Sequence, residues 1–216
     1  MDTETLRQSV AEAFAVTSAM TPSWPDPHPD CQSPLQEEYS RCLDPGKYRI
    51  LGARLDAWVQ ALTELGLGVA HEVQDLDQAW RDGPVDDVER AVWVRPVRAG
   101  AISLLVGFQE LDDVPDAAVV LGAGEPAVLL LSQPDCGCDA CDNGSDYLLD
   151  EIDDHVLAVV GGTLVHVAGK RGTIVATESG VAGEGSLGGV RDIEQVLAKA
   201  RAGRSRHRVV HGDPWW

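Results

Sequence analysis

Apolar residues recur at helical spacing over residues 3–19, where Leu6, Val10, Ala13, Phe14 and Val16 share one side, and this predicts an amphipathic helix. The same period runs through residues 47–66, with Ile50, Leu51, Leu55, Trp58, Val59, Leu62 and Leu65 in phase and Gly66 as the stop. Between the two lies TPSWPDPHPDCQSP, residues 21–34, whose five prolines forbid regular helix or central strand and predict an extended, partly polyproline crossing. Trp24 and His28 within it suit either of two tasks, pinning the crossing to the core or closing over a pocket.

Beyond an acidic, turn-containing connection over residues 75–90, the pattern changes to short runs rich in Val and Leu. Residues 90–97, 101–110, 117–122 and 127–132 read as strands separated by Gly, Pro and Asp turns. Leu148, Leu149, Ile152, Val156 and Val159 then mark one arc of a helix from about Ser145 to 159, with Asp150, Glu151, Asp153 and Asp154 spread over the rest. His155 falls at the border of that apolar face, where a packing histidine is the usual explanation. A strand pair over 161–169 and 171–180 and a helix over 190–203 close the fold. Helices at the ends with hairpin-like strands between predict a single α+β domain over residues 1–203 with a largely antiparallel sheet. Residues 204–216 are left as a basic tail ending in Trp215-Trp216.

Composition narrows the function classes. The apolar fraction of 44% supports an ordinary core, and the net charge of −18 disfavours phosphate backbones and anionic lipid. The opening MDTETLRQSVAEAFAV lacks a basic n-region and an apolar h-region, and no run approaches the ~20 residues of a membrane span. Five cysteines, an odd number with three crowded together, fit reduced thiols in the cytoplasm better than a disulfide framework.

The crowded three are Cys136, Cys138 and Cys141, in QPDCGCDACDNGSDYLLDEIDD (133–154). In a loop, thiols one or two residues apart can turn inward on one small cation, with Gly137 permitting a tight bend. Zinc wants a fourth ligand. His155 would lie about 15 Å along the helix, too far from the turn, which leaves Cys31, Cys42, His28 or Asp142. A redox cysteine needs a depressed pKa, and Asp135, Asp139 and Asp142 beside the thiols work against one. The acids favour a metal over redox chemistry. The plainest alternative is a turn whose Asp142 or Ser145 caps the helix, with cysteines as small buried residues. A calcium loop fails, since Cys141 and Asp150 stand where oxygen ligands and a glutamate belong.

The segment DCGCDACDNGSDYLLDEIDDHVLAVVGG resembles a recurring stretch of an uncharacterised protein family from high-GC actinobacteria, over roughly residues 130–165, with DPGKYRILGARLDAWVQAL upstream as a further match. The resemblance implies bacterial cytoplasm and carries no activity. Elsewhere, GEGSLG (183–188) matches a dinucleotide fingerprint but lacks the acidic residue and the βα units that should follow, so it reads as a loop. No nucleophile elbow, Walker lysine loop or H-E-x-x-H is present. The leading expectation is an interaction or accessory protein with a structural zinc at the thiol turn. It would meet a protein partner, or a second copy, through its acidic surface or its tail, where Lys199, Arg201, Arg204, Arg206 and Arg208 precede the tryptophans. The rival class is an enzyme, either a zinc-dependent hydrolase or a thiol oxidoreductase, using the same three cysteines.

Overall fold

The computed structural model describes residues 1–29, 32–83, 85–185 and 193–216. In chain order the elements are α1 (Thr3–Thr17), α2 (Arg49–Glu64), β1 (Gly68–Glu72), α3 (Leu76–Ala79), β2 (Val88–Pro96), β3 (Leu104–Leu111), β4 (Val114–Ala123) and β5 (Val128–Gln133). After the thiol turn come α4 (Ser145–Val160), β6 (Val165–Ala168), β7 (Gly172–Ala176), β8 (Val181–Gly185), α5 (Ile193–Arg201) and β9 (Arg208–Val210). Both sheets are antiparallel, one ordered β1-β2-β3-β4-β5 and the other β8-β7-β6-β9. The α+β class and the antiparallel pairing are as the sequence predicts.

Period-two alternation decides which face of the larger sheet receives which helix. Leu104, Val106 and Phe108 point toward α1, α2 and α4 and join Leu6, Leu55, Trp58 and Ile152 in the main core. Leu105, on the opposite face, packs with Trp93 and Val120 under Trp80. Gly122 makes room for that indole, because a Cβ there would lie 2.7 Å from Trp80 Cζ3. Polar contacts at Asp153 cross the main core. Asp153, 5% exposed, accepts from Trp58 Nε1 at 2.7 Å and from Arg54 Nε at 2.8 Å, so α2 and α4 are joined by an ion pair as well as by apolar packing. The periodicity places Asp153 with the solvated acids; its two partners on α2 are what bring it inside.

The smaller sheet takes α5 on one face, where Val196, Leu197 and Ala200 pack on Val165, Val167 and Ile174. The predicted helix start at 190 lies outside the described residues. β1, β8 and β9 are unanticipated strands, short and with exposed or charged positions that hide any alternation, and β8 takes in residues 183–185 of the GEGSLG stretch expected as a loop. β9 pairs with β6, and Trp215 beyond it is 2% exposed, its backbone N–H donating to Val160 O at 2.8 Å. The segment read as a tail therefore enters both a sheet and the core. Arg201, Arg204 and Arg206 remain exposed.

Candidate metal centre at the thiol turn

β5 ends at Gln133, and the chain then makes a 3₁₀ turn, Asp139–Cys141, before α4. Gly137 sits close against the end of the Leu111 side chain. A Cβ on it would meet Leu111 Cδ1 at 2.8 Å, whereas its backbone does not enter the left-handed region. Gly144 does enter it, at φ +82°, and a Cβ there would collide with the backbone at Asp26 N, 2.5 Å away. That contact is where the Pro-rich crossing docks. Ser145 N donates to Trp24 O at 3.0 Å, Ser145 Oγ donates to the same oxygen at 3.1 Å, and Trp24 N donates to Ser145 Oγ at 3.1 Å. The first turn of α4 is thus satisfied by a carbonyl from the crossing, and neither Asp142 nor Ser145 caps it with a side-chain bond of its own.

Asp142 faces inward. Its carboxylate, 4% exposed, accepts from Trp24 Nε1 at 2.9 and 3.0 Å, from Lys47 Nζ at 2.6 Å and from Gly144 N at 2.8 Å. Lys47 also lies 5.3 Å from the Trp24 ring centroid and 5.0 Å from that of Tyr48. Trp24 accordingly pins the crossing. Asp139 is engaged too, accepting from Arg41 Nε at 3.0 Å and Leu43 N at 3.1 Å. Those bonds hold its carboxyl below the usual range against the opposing effect of burial. Two of the acids that flank the thiols in sequence are thereby turned onto cations. The repulsion expected between them and a thiolate is largely met by Arg41 and Lys47.

The three thiols converge. The Sγ atoms of Cys136, Cys138 and Cys141 all lie within 4.8 Å of one another, with Cys136 and Cys138 at 3.2 Å. Zinc–sulfur bonds of about 2.3 Å in tetrahedral array put sulfurs about 3.8 Å apart, a separation this cluster reaches by small side-chain movements. Burial works to raise the Cys138 thiol, but hydrogen bonds from Cys136 and Cys141 bring it below its ordinary value. The same contact with Cys138, reinforced by burial and by Cys136, pushes Cys141 up to about 12. A cation binding here would have to displace protons from these thiols.

Among the described residues no fourth histidine, cysteine or carboxylate joins the cluster. Asp142 is bound to Lys47 and Trp24. His28 lies against Glu38, with Nε2 3.4 Å from Oε2. Cys42 is half-buried and packs on the main core, where burial raises its thiol. His155 sits well along α4, its Nδ1 on Glu151 O. Cys31 lies outside the described residues. Beside the cluster opens a cleft of about 540 Å³, lined by Cys136, Cys141, Gln133, Tyr147 and Glu151 among others, and neither Trp24 nor His28 borders it. Gln133 is 4% exposed, donates its amide to Glu151 and keeps a buried Oε1 with no partner. Sequence reasoning missed Arg41, Lys47 and Gln133, which carry no motif.

Residues 10–216 match the family of unknown function DUF6226. The chain belongs to that family. No curated protein and no solved structure matches this DUF6226 chain. Among its described residues, no helix is long and apolar enough to cross a membrane.

Proposed function

We propose that the chain is a cytoplasmic interaction or accessory protein whose thiol turn is closed by a structural zinc ion on Cys136, Cys138 and Cys141. The observation that carries this reading is the convergence of three Sγ atoms within 4.8 Å. Zinc would link the end of β5 to the 3₁₀ turn and so fix the loop that leads into α4. Cys31 is the ligand from the earlier set of four whose claim on the fourth position stands, and a water molecule is its competitor. The acidic surface is the feature that suits a basic protein partner.

Elemental mass spectrometry on untagged protein purified without chelator, together with thiol titration, tests the reading. The expected result is about one zinc per chain, with the three clustered thiols reacting only after a zinc chelator is added. Absence of metal and five freely titrating thiols would overturn it. The cleft beside Cys136 and Cys141 favours a second reading, a zinc-dependent hydrolase with an open coordination position. X-ray absorption separates the two: four sulfurs mean a closed site, and three sulfurs with one oxygen mean an open one. A Cys136–Cys138 disulfide that forms and reduces reversibly in metal-free protein would instead support thiol oxidoreductase chemistry.

A further inference from the structure

The three clustered cysteines are not equally held. Asp139 N donates to Arg41 O at 2.8 Å while its carboxylate accepts from Arg41 Nε and Leu43 N, and Asp142 is held by Trp24, Lys47 and Gly144 N. Cys141 N donates to Cys138 O at 3.1 Å. The turn is therefore fastened from Cys138 onward by contacts that use no sulfur. Upstream it is not: among the described residues, the backbone of Asp135, Cys136 and Gly137 makes no hydrogen bond.

Cys136 is also exposed, as is Cys141, whereas Cys138 is half-buried. Cys136 thus joins access to small solutes with freedom to move, and its sulfur already lies 3.2 Å from that of Cys138. An S–S bond of about 2.05 Å asks for a further approach of about 1.2 Å. Residues two apart have Cα atoms at most about 7 Å from each other, at the edge of the span a disulfide bridges, and Gly137 between them lets the chain bend. A zinc ion on the three cysteines holds each as a thiolate, the form that attacks peroxides.

We propose that the zinc at this turn is released by oxidation: a hydroperoxide joins Cys136 to Cys138 in a disulfide, and the ion, left with Cys141 and at most one further ligand, departs. The inference rests on the zinc reading above. The Cys136 thiolate attacks the hydroxyl oxygen of the peroxide; the O–O bond breaks, an S–O bond forms, and alkoxide or hydroxide leaves. The Cys138 thiolate then attacks the Cys136 sulfur; the S–S bond forms, the S–O bond breaks, and hydroxide leaves. Two electrons pass from sulfur to the peroxide, and solvent protonates both leaving oxygens. A low-molecular-weight thiol reverses the change in two exchange steps and is itself oxidised to its disulfide. Because the contacts at Asp139 and Asp142, and those between Trp24 and Ser145, contain no sulfur, the loss of zinc frees residues 134–138 and leaves the start of α4 in place.

The test treats the zinc-loaded full chain with one equivalent of hydrogen peroxide, follows zinc with a chromophoric indicator and maps disulfides by peptide mass spectrometry. Zinc should be lost in step with two thiols, with Cys136 and Cys138 joined and Cys42 still reduced, and should rebind once thiol and zinc are supplied. Hydrogen exchange should speed up over residues 134–138 and stay unchanged over 139–150. Cys42→Ser should release zinc as the natural chain does. Four results each overturn this inference alone: zinc retained after peroxide, zinc lost with a disulfide that includes Cys31, Cys42 or Cys141, zinc lost with a sulfinic acid in place of a disulfide, or exchange that speeds up through α4. A chain that carries no zinc before peroxide is added overturns the zinc reading and this inference with it.

Discussion

Asp142 and Asp153 stand at opposite ends of one stretch, just before α4 and inside it, and their surroundings are chemically alike. Each carboxylate is nearly buried and accepts from one indole N–H and one cationic side chain: Trp24 with Lys47 at Asp142, Trp58 with Arg54 at Asp153. Their settings differ. Asp153 lies between two long helices whose apolar faces already meet, so the ion pair fixes how α2 and α4 sit against each other in a contact the core would make anyway. Asp142 lies beneath a loop with little apolar burial of its own, where the ion pair is the chief local order. The same trio thus trims a core in one place and shapes a site in the other.

That contrast can be broken most forcefully at Asp153. Asp153→Ala leaves Arg54, whose side chain is 15% exposed, without its partner, and should cost about 3–5 kcal/mol in urea unfolding. A loss below about 1 kcal/mol would show that the pair contributes little. Asp142→Ala should cost less, about 2–3 kcal/mol, because Lys47 can swing outward to water. Its signature is local. Hydrogen exchange should speed up over residues 21–29 and 133–145 while the amides of α2 keep their protection, and uniform acceleration would contradict the comparison.

Gly144→Ala sharpens the picture further, since it combines a positive φ with a collision against the backbone of residues 25 and 26. A destabilisation of about 1–2 kcal/mol is expected in thermal melts, with the crossing displaced and the core intact. The smallest effects come with pH. Asp139 is held below its ordinary value, so the native chain binds fewer protons there than the unfolded one. That contribution is complete above the ordinary carboxylate range and is lost as pH falls through the native value. Asp139→Asn should flatten this part of the acid limb in melting curves between about pH 5 and 3. His166 acts in the same direction at higher pH. Its depressed value makes stability decline as pH drops below about 6.5 and level off below the native value, a slope that His166→Gln should remove.

Helices α1, α2 and α4 are legible in the sequence because each shows one core a continuous apolar stripe. The convergence of Cys136, Cys138 and Cys141 is legible because residues so close in sequence have few ways to stay apart. β1, with Val69, His71 and Glu72 exposed, buries only Gly68, which has no side chain, and offers no alternation to detect. β9 is masked by its own arginine and by the basic residues before it. In a chain with 35 acids, no local pattern marks Asp142 and Asp153 as the two that lie inward with an indole and a base. Periodicity records the face a residue takes on its own element. The partner across the gap is a tertiary fact, and so the sequence displays the acids beside the thiols without the cations that meet them.

The carbonyl of Trp24, which receives both hydrogen atoms of Ser145, comes from 121 residues upstream. A helix end that depends on so distant an acceptor cannot be completed by local nucleation, so the first turn of α4 belongs among the late events of folding, after a long loop has closed. The reverse holds as well. A release of the crossing would unlatch that turn, so the two segments are expected to open together although most of the chain separates them.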